Sequence, residues 1–141
     1  MKTPNFEIIS TTADMGFIAW GESPSDLFVH AAEALSQIIT VSQKVHPNES
    51  VSVKIEAHDW PELAVNWLSE ILYWQEVAGM FFSRFEITDF AEYHFQARLW
   101  GEEFDPTRHE ILHEVKAITY HGLELLQEES GRWRLKIIVD I

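Results

Sequence analysis

Trp133-Arg134-Leu135-Lys136-Ile137-Ile138-Val139-Asp140-Ile141 is the stretch whose reading decides the fold. Trp133, Leu135, Ile137, Val139 and Ile141 alternate with Arg134, Lys136, Ile138 and Asp140, the two-residue period of a strand with a buried face, and Glu129-Ser130-Gly131 supplies a turn ahead of it. The sequence stops inside this strand, so an α-carboxylate is expected beside the Asp140 side chain, held by the strand instead of trailing in a tail.

Upstream, the same period recurs. Tyr93, Phe95, Ala97 and Leu99 alternate with His94, Gln96 and Arg98, and Val51, Val53, Ile55 and Ala57 alternate with Ser52, Lys54, Glu56 and His58. Phe82 to Thr88, Val115 to Tyr120 and Gly122 to Gln127 read as further strands, as do Asn5 to Ser10 and Phe17 to Trp20, separated by the break Thr11 to Gly16.

Two segments have helical spacing instead. Ser23-Pro24-Ser25-Asp26 is a helix start, and Leu27, Phe28, Ala31, Ala32, Leu35, Ile38 and Ile39 form one apolar face ending near Thr40. Asp59 and Glu62 make a second capping box before Leu63, Trp67, Leu68, Ile71, Leu72 and Trp74, with Gly79 as the stop. These elements predict an α+β domain spanning residues 1–141, with a mostly antiparallel or mixed sheet and both helices packed on one face.

Composition narrows the function. A chain of 141 residues with 46% hydrophobic and 23% charged residues is sized for one packed core. Its net charge of −13 repels phosphate chains, which argues against tight direct binding of nucleic acid and favours divalent cations or partners with basic patches. Cysteine is absent, excluding disulfides and thiolate zinc sites; with no apolar signal core in the first ten residues and no membrane-length apolar run, the expected location is the cytoplasm.

His109-Glu110-Ile111-Leu112-His113 matches H-E-x-x-H, in which two histidines one helical turn apart bind zinc and the glutamate acts as general base. That geometry needs a helix, and Asp105-Pro106 on one side with a strand-like stretch from Val115 on the other leaves too little room for one. A small zinc hydrolase is thus a rival reading, and loop histidines the expectation. No Gly-rich phosphate cradle or G-x-S-x-G elbow is present. The tryptophans read as core, with Trp60 and Trp100 as candidates for exposure.

Asp14 sits in a connection, where aspartate ordinarily bonds its own backbone, and Asp140 alone reads as a solvated strand residue. If folding sets Asp14 beside Asp140 and the chain end, carboxylates about 4 Å apart repel by about 4 kcal/mol at an effective dielectric of about 20, and a cation must compensate. All-oxygen ligands favour Ca²⁺ or Mg²⁺ over zinc; Lys116 is the alternative counter-charge.

Thr12-Ala13-Asp14-Met15-Gly16, Leu99-Trp100-Gly101-Glu102 with Asp105-Pro106, Val115-Lys116-Ala117-Ile118-Thr119-Tyr120-His121 and Val139-Asp140-Ile141 together resemble the archease family, in order and spacing along nearly the whole chain. The resemblance implies a non-catalytic activator of the GTP-dependent RtcB-type RNA ligase in tRNA splicing and RNA repair, promoting guanylylation of the ligase and its multiple turnover. It also implies a calcium-type site, with Mg²⁺ or Mn²⁺ as alternatives, on Asp14, Asp140 and the main-chain or terminal oxygens of Ile141, and a functionally important lysine at Lys116. The position before Thr12, often histidine in the family, is Thr11 here, so no ligand role carries over to it. A chaperone-like binding module is the other alternative.

Overall fold

The computed structural model describes residues 4–141. In chain order it contains β1 (Phe6–Ser10), β2 (Met15–Gly21), α1 (Pro24–Ile39), a 3-10 turn (Ser42–Lys44), β3 (Glu49–Glu56), α2 (Trp60–Ala78), β4 (Met80–Ala91), β5 (His94–Glu103), β6 (Ala117–Ile118), β7 (Glu124–Gln127) and β8 (Trp133–Asp140). The α+β class is as the sequence implies, but the strands divide between two sheets where one was expected. One runs β1-β2-β8-β6 with β7 also on β8, the other β3-β5-β4, and every pairing is antiparallel.

The reason for two sheets lies in the helices. The buried residues of α1 are Leu27, Phe28, Ala31, Ala32, Ala34, Leu35, Ser36, Ile38 and Ile39, so it is buried well beyond one stripe. It contacts β2 and β8 of one sheet and β4 of the other, and α2 likewise touches strands of both. An element apolar on more than one side needs cover on more than one side. The fully buried Trp67 of α2 packs edge-on to Phe95 and donates its indole N–H to the Phe28 carbonyl of α1 at 2.9 Å, satisfying its one polar atom inside the core.

The caps form where the sequence puts them. Ser23 Oγ accepts the Asp26 N–H at 3.1 Å, Asp59 Oδ1 accepts the Glu62 N–H at 2.9 Å, and Gly79 ends α2 in the left-handed region at φ 65°. In the β6 region the expected strand Val115 to Tyr120 shortens to Ala117–Ile118, because a turn at Tyr120 to Leu123, with Gly122 at φ 63°, takes the chain off the ladder.

β8 is the hinge of the first sheet, flanked by β2 on one side and by β6 and β7 on the other. Its ladder with β2 runs from Met15 opposite Val139 to Gly21 opposite Trp133. Gly16 is obligatory in it: a Cβ there would lie 2.0 Å from the Ile137 carbonyl oxygen.

The segment after β5 is not a helix. His109 is buried, and its Nδ1 accepts the Asp105 N–H at 2.8 Å, so the ring proton sits on Nε2 and donates to Glu102 at 3.0 Å. Arg108 grips the same carboxylate from Nη2 at 2.6 Å and Nη1 at 3.1 Å, and the His46 N–H adds a bond at 2.6 Å. The Arg108 guanidinium foremost, then the His46 N–H and His109, hold the Glu102 carboxyl down at about 2, against the burial that pushes it up. Beyond the knot the chain straps across the end of α1: Leu112 N–H donates to Ile39 O at 2.8 Å, and Thr40 Oγ1 to Glu110 O at 2.6 Å. The rival H-E-x-x-H reading loses its geometry, since the segment is not helical, as its flanks imply, and both nitrogens of His109 are engaged.

Gly16→Ala is expected to destabilise the protein by more than about 2 kcal/mol in urea unfolding, because the ladder must part to admit the methyl group. A lowered carboxyl contributes stability that is complete above the ordinary glutamate range and fades as the pH falls through that range towards about 2. Glu102→Gln should therefore lower the melting temperature at neutral pH by roughly 5 °C, and the gap from the parent should hold down to about pH 5 and narrow from there towards about pH 2.

Candidate functional site

β1 and β2 are joined by the tight turn Thr11 to Asp14, and what closes it is threonine. Thr11 Oγ1 accepts the Asp14 N–H at 2.9 Å and the Ala13 N–H at 3.3 Å, while the Thr11 N–H donates to Asp14 O at 2.9 Å. The usual duty of an aspartate in a turn is discharged by its neighbour, and the Asp14 carboxylate takes no part in the turn's bonds. Thr11, where the resemblance withholds a ligand role, thus has a structural one.

The β2–β8 ladder then decides what faces Asp14. Met15 lies opposite Val139, so continuing the register by one residue sets Asp14 opposite Asp140. Directly opposed residues of an antiparallel pair project to the same side with Cβ atoms about 5 Å apart. On the other side of β8, Ala117 is opposite Asp140 and the Lys116 N–H donates to the Asp140 carbonyl at 2.7 Å, so the end of β8 is held from both flanks.

Asp14, Asp140 and Ile141 line one cleft of about 410 Å³, together with Ser10, Thr119, His113 and His121. Three residues expected from the resemblance are therefore brought together. Lys116 is not: its backbone belongs to this strand end, but it lines a separate cleft with Leu72, Gln75 and Glu76 of α2, because neighbouring strand residues face opposite ways. Among the described residues neither aspartate is ion-paired to a lysine or arginine, which removes Lys116 as the neutralising charge.

His113 and His121 are the residues that sequence reading passed over. His113 was set aside with the H-E-x-x-H pattern and His121 stood only as the last letter of the VKAITYH block; the strap across α1 and the turn after β6 deliver them to the cleft. No local pattern announces this, since the two lie on different loops.

The donor set suits a hard divalent cation: two carboxylates without a lysine or arginine partner among the described residues, the main-chain oxygens of Ile141 and the hydroxyl of Thr119 at the same cleft. Among the described residues no three His, Cys, Asp or Glu side chains converge as a complete cage. Asp14, Asp140 and Ile141 could hold such an ion with water completing its shell, and the ion would supply positive charge to an anionic group of a partner. No helix is long and apolar enough to cross a membrane.

The model of the archease protein family (MTH1598/TM1083) matches residues 6–141. The archease of Methanopyrus kandleri is 40% identical over 139 residues, covering 96% of this chain and 99% of that protein, and the archease of Methanosarcina mazei is 35% identical over 140 residues, covering 96% and 95%. The solution structure of Methanobacterium thermoautotrophicum protein 1598 superposes with a TM-score of 0.81 at 32% identity, covering 97% of this chain and 99% of that one. The crystal structure of an archease and possible chaperone from Thermotoga maritima shares the fold, with a TM-score of 0.63 at 16% identity over 100% of this chain and 98% of that one. With a family model spanning both helices and all the strands, and relatives at this identity over nearly their full length, the chain belongs to the archease family.

Proposed function

We propose that the protein is a non-catalytic activator of an RtcB-type RNA ligase, acting through a divalent cation at the cleft of Asp14, Asp140 and Ile141, with Ca²⁺ as the ion and Mg²⁺ or Mn²⁺ as substitutes. The observation that carries this reading is the β2–β8 register, which, continued one residue past Met15 and Val139, sets against each other two carboxylates with no lysine or arginine partner among the described residues. Such a pair is unfavourable alone and favourable around a cation.

Family membership supports the choice of partner, and the charge of −13 suits a ligase whose RNA-binding surface is basic. The protein's part is to present the ion at the ligase's nucleotide site, which favours guanylylation; bond making stays with the ligase. Lys116, on its own cleft beside α2, contributes a separate cationic contact to the same complex. The zinc-hydrolase alternative loses its support with His109 locked to Glu102, and a tRNA-processing role would be exercised in the cytoplasm.

Multiple-turnover ligation by a purified RtcB-type ligase, at controlled GTP and metal, tests the proposal. Asp14→Asn and Asp140→Asn should each lower the stimulation of ligation by at least ~10-fold. Their melting temperatures without added metal should match or exceed that of the parent, because a repulsion is relieved. Wild-type stimulation by both variants would sink the proposal. Calcium titration followed by calorimetry should show a single weak site that either substitution abolishes.

A further inference from the structure

The outer face of the β3-β5-β4 sheet runs against the charge of the molecule. Val53, Ile55, Phe85, Phe95, Ala97 and Leu99 point inward, so the alternate residues point out. Register arranges those in rows: Ser50, Trp100 and Arg84; then Ser52, Arg98 and Glu86; then Lys54, Gln96 and Thr88. A fourth row sets the exposed Glu56 opposite His94, so the outer face carries three cations and two acids, in a chain that has only 10 Lys and Arg against 23 Asp and Glu.

Neither guanidinium is ion-paired among the described residues, although acids abound elsewhere. Both stack on the half-buried Trp100 instead, Arg84 at 4.5 Å and Arg98 at 5.9 Å from the ring centroid. A guanidinium held over an indole keeps N–H groups free for a ligand, and the contact of Arg84 at 4.5 Å orders its long side chain in advance. Lys54, Arg98 and Arg84 descend one row per strand, a diagonal with steps of about 8 Å from the strand spacing and rise.

We infer that this face is a weak binding site for single-stranded RNA. The diagonal of cations meets successive phosphates. The outer plane of Arg84 offers a base a stacking surface, and Ser50, Ser52, Thr88 and Gln96 offer hydrogen bonds to sugar hydroxyls and base edges. An acidic protein segment fits less well: extended peptides dock on sheet edges through main-chain bonds, whereas these cations stand on the flat face among hydroxyls and an amide. The charge of −13 keeps the site weak. The inference does not depend on the activator role, because the binding is a property of this protein alone.

The test is fluorescence anisotropy of a labelled single-stranded oligoribonucleotide with the full chain and no ligase or added divalent metal. With at most three phosphates neutralised, raising salt from about 50 to about 200 mM should weaken binding about 20-fold. The double variant Arg84→Gln/Arg98→Gln should lose at least ~10-fold at the lower salt and show about a third of the salt slope. Arg132→Gln, which removes a guanidinium stacked on Trp20 of the other sheet, should change nothing. Three results would overturn the inference: no binding at low salt, equal loss on Arg132→Gln, or equal competition by an oligoglutamate of matching charge. Unchanged thermal melts of the exposed-site variants keep a binding loss from being a folding loss.

Discussion

The ladder between β2 and β8 is the constraint on which the rest depends. It joins a strand near the start of the described chain to the strand at its end, across more than a hundred residues that include both helices and the second sheet. A one-residue slip would turn Phe17 and Ile137 from the core to the opposite face, so burial enforces the register strongly. That same register opposes Asp14 and Asp140. The geometry of the cleft therefore follows from hydrophobic packing some residues away, and Gly16, which lets the two backbones approach, serves core and cleft together.

Charge is distributed by use of the two sheets. The first ends in two carboxylates that line one cleft and have no lysine or arginine partner among the described residues, while the second turns outward two guanidiniums that lie over an indole and are likewise without an acid partner there. A surface this acidic could have neutralised the two guanidiniums through ordinary ion pairs, as it does for Arg108 with Glu102 and for Arg134 with Glu124. Exposed pairs add little stability, so leaving these groups unpaired costs the fold little and leaves them available to ligands.

The Glu102 knot shows how a motif can mislead and still matter. Its histidine and arginine stand in a stretch that spells a zinc signature, but the chemistry they perform is the satisfaction of a nearly buried carboxylate. Once that anchor holds, the chain must run extended across the end of α1, which brings His113 to the cleft and Lys116 beside β8. A helix there would have dismantled both arrangements.

Caps, strand periods and the α+β class were legible locally: Ser23, Asp59 and Gly79 act on backbone groups within a few residues, and alternation along β5 and β8 reports burial of a face whatever the partner. The pairing of Asp14 with Asp140 came from resemblance, since nothing within either segment specifies the other. Tertiary structure alone decided that the strands form two sheets, because that depends on the buried face of α1 being wide enough to take cover from strands of both. It alone decided that Thr11 closes the turn and leaves the Asp14 carboxylate unbonded, that Lys116 faces away, and that two histidines from separate loops enter the cleft. Each of these is set by register and chain path between distant segments, and a period read along one segment carries no information about either.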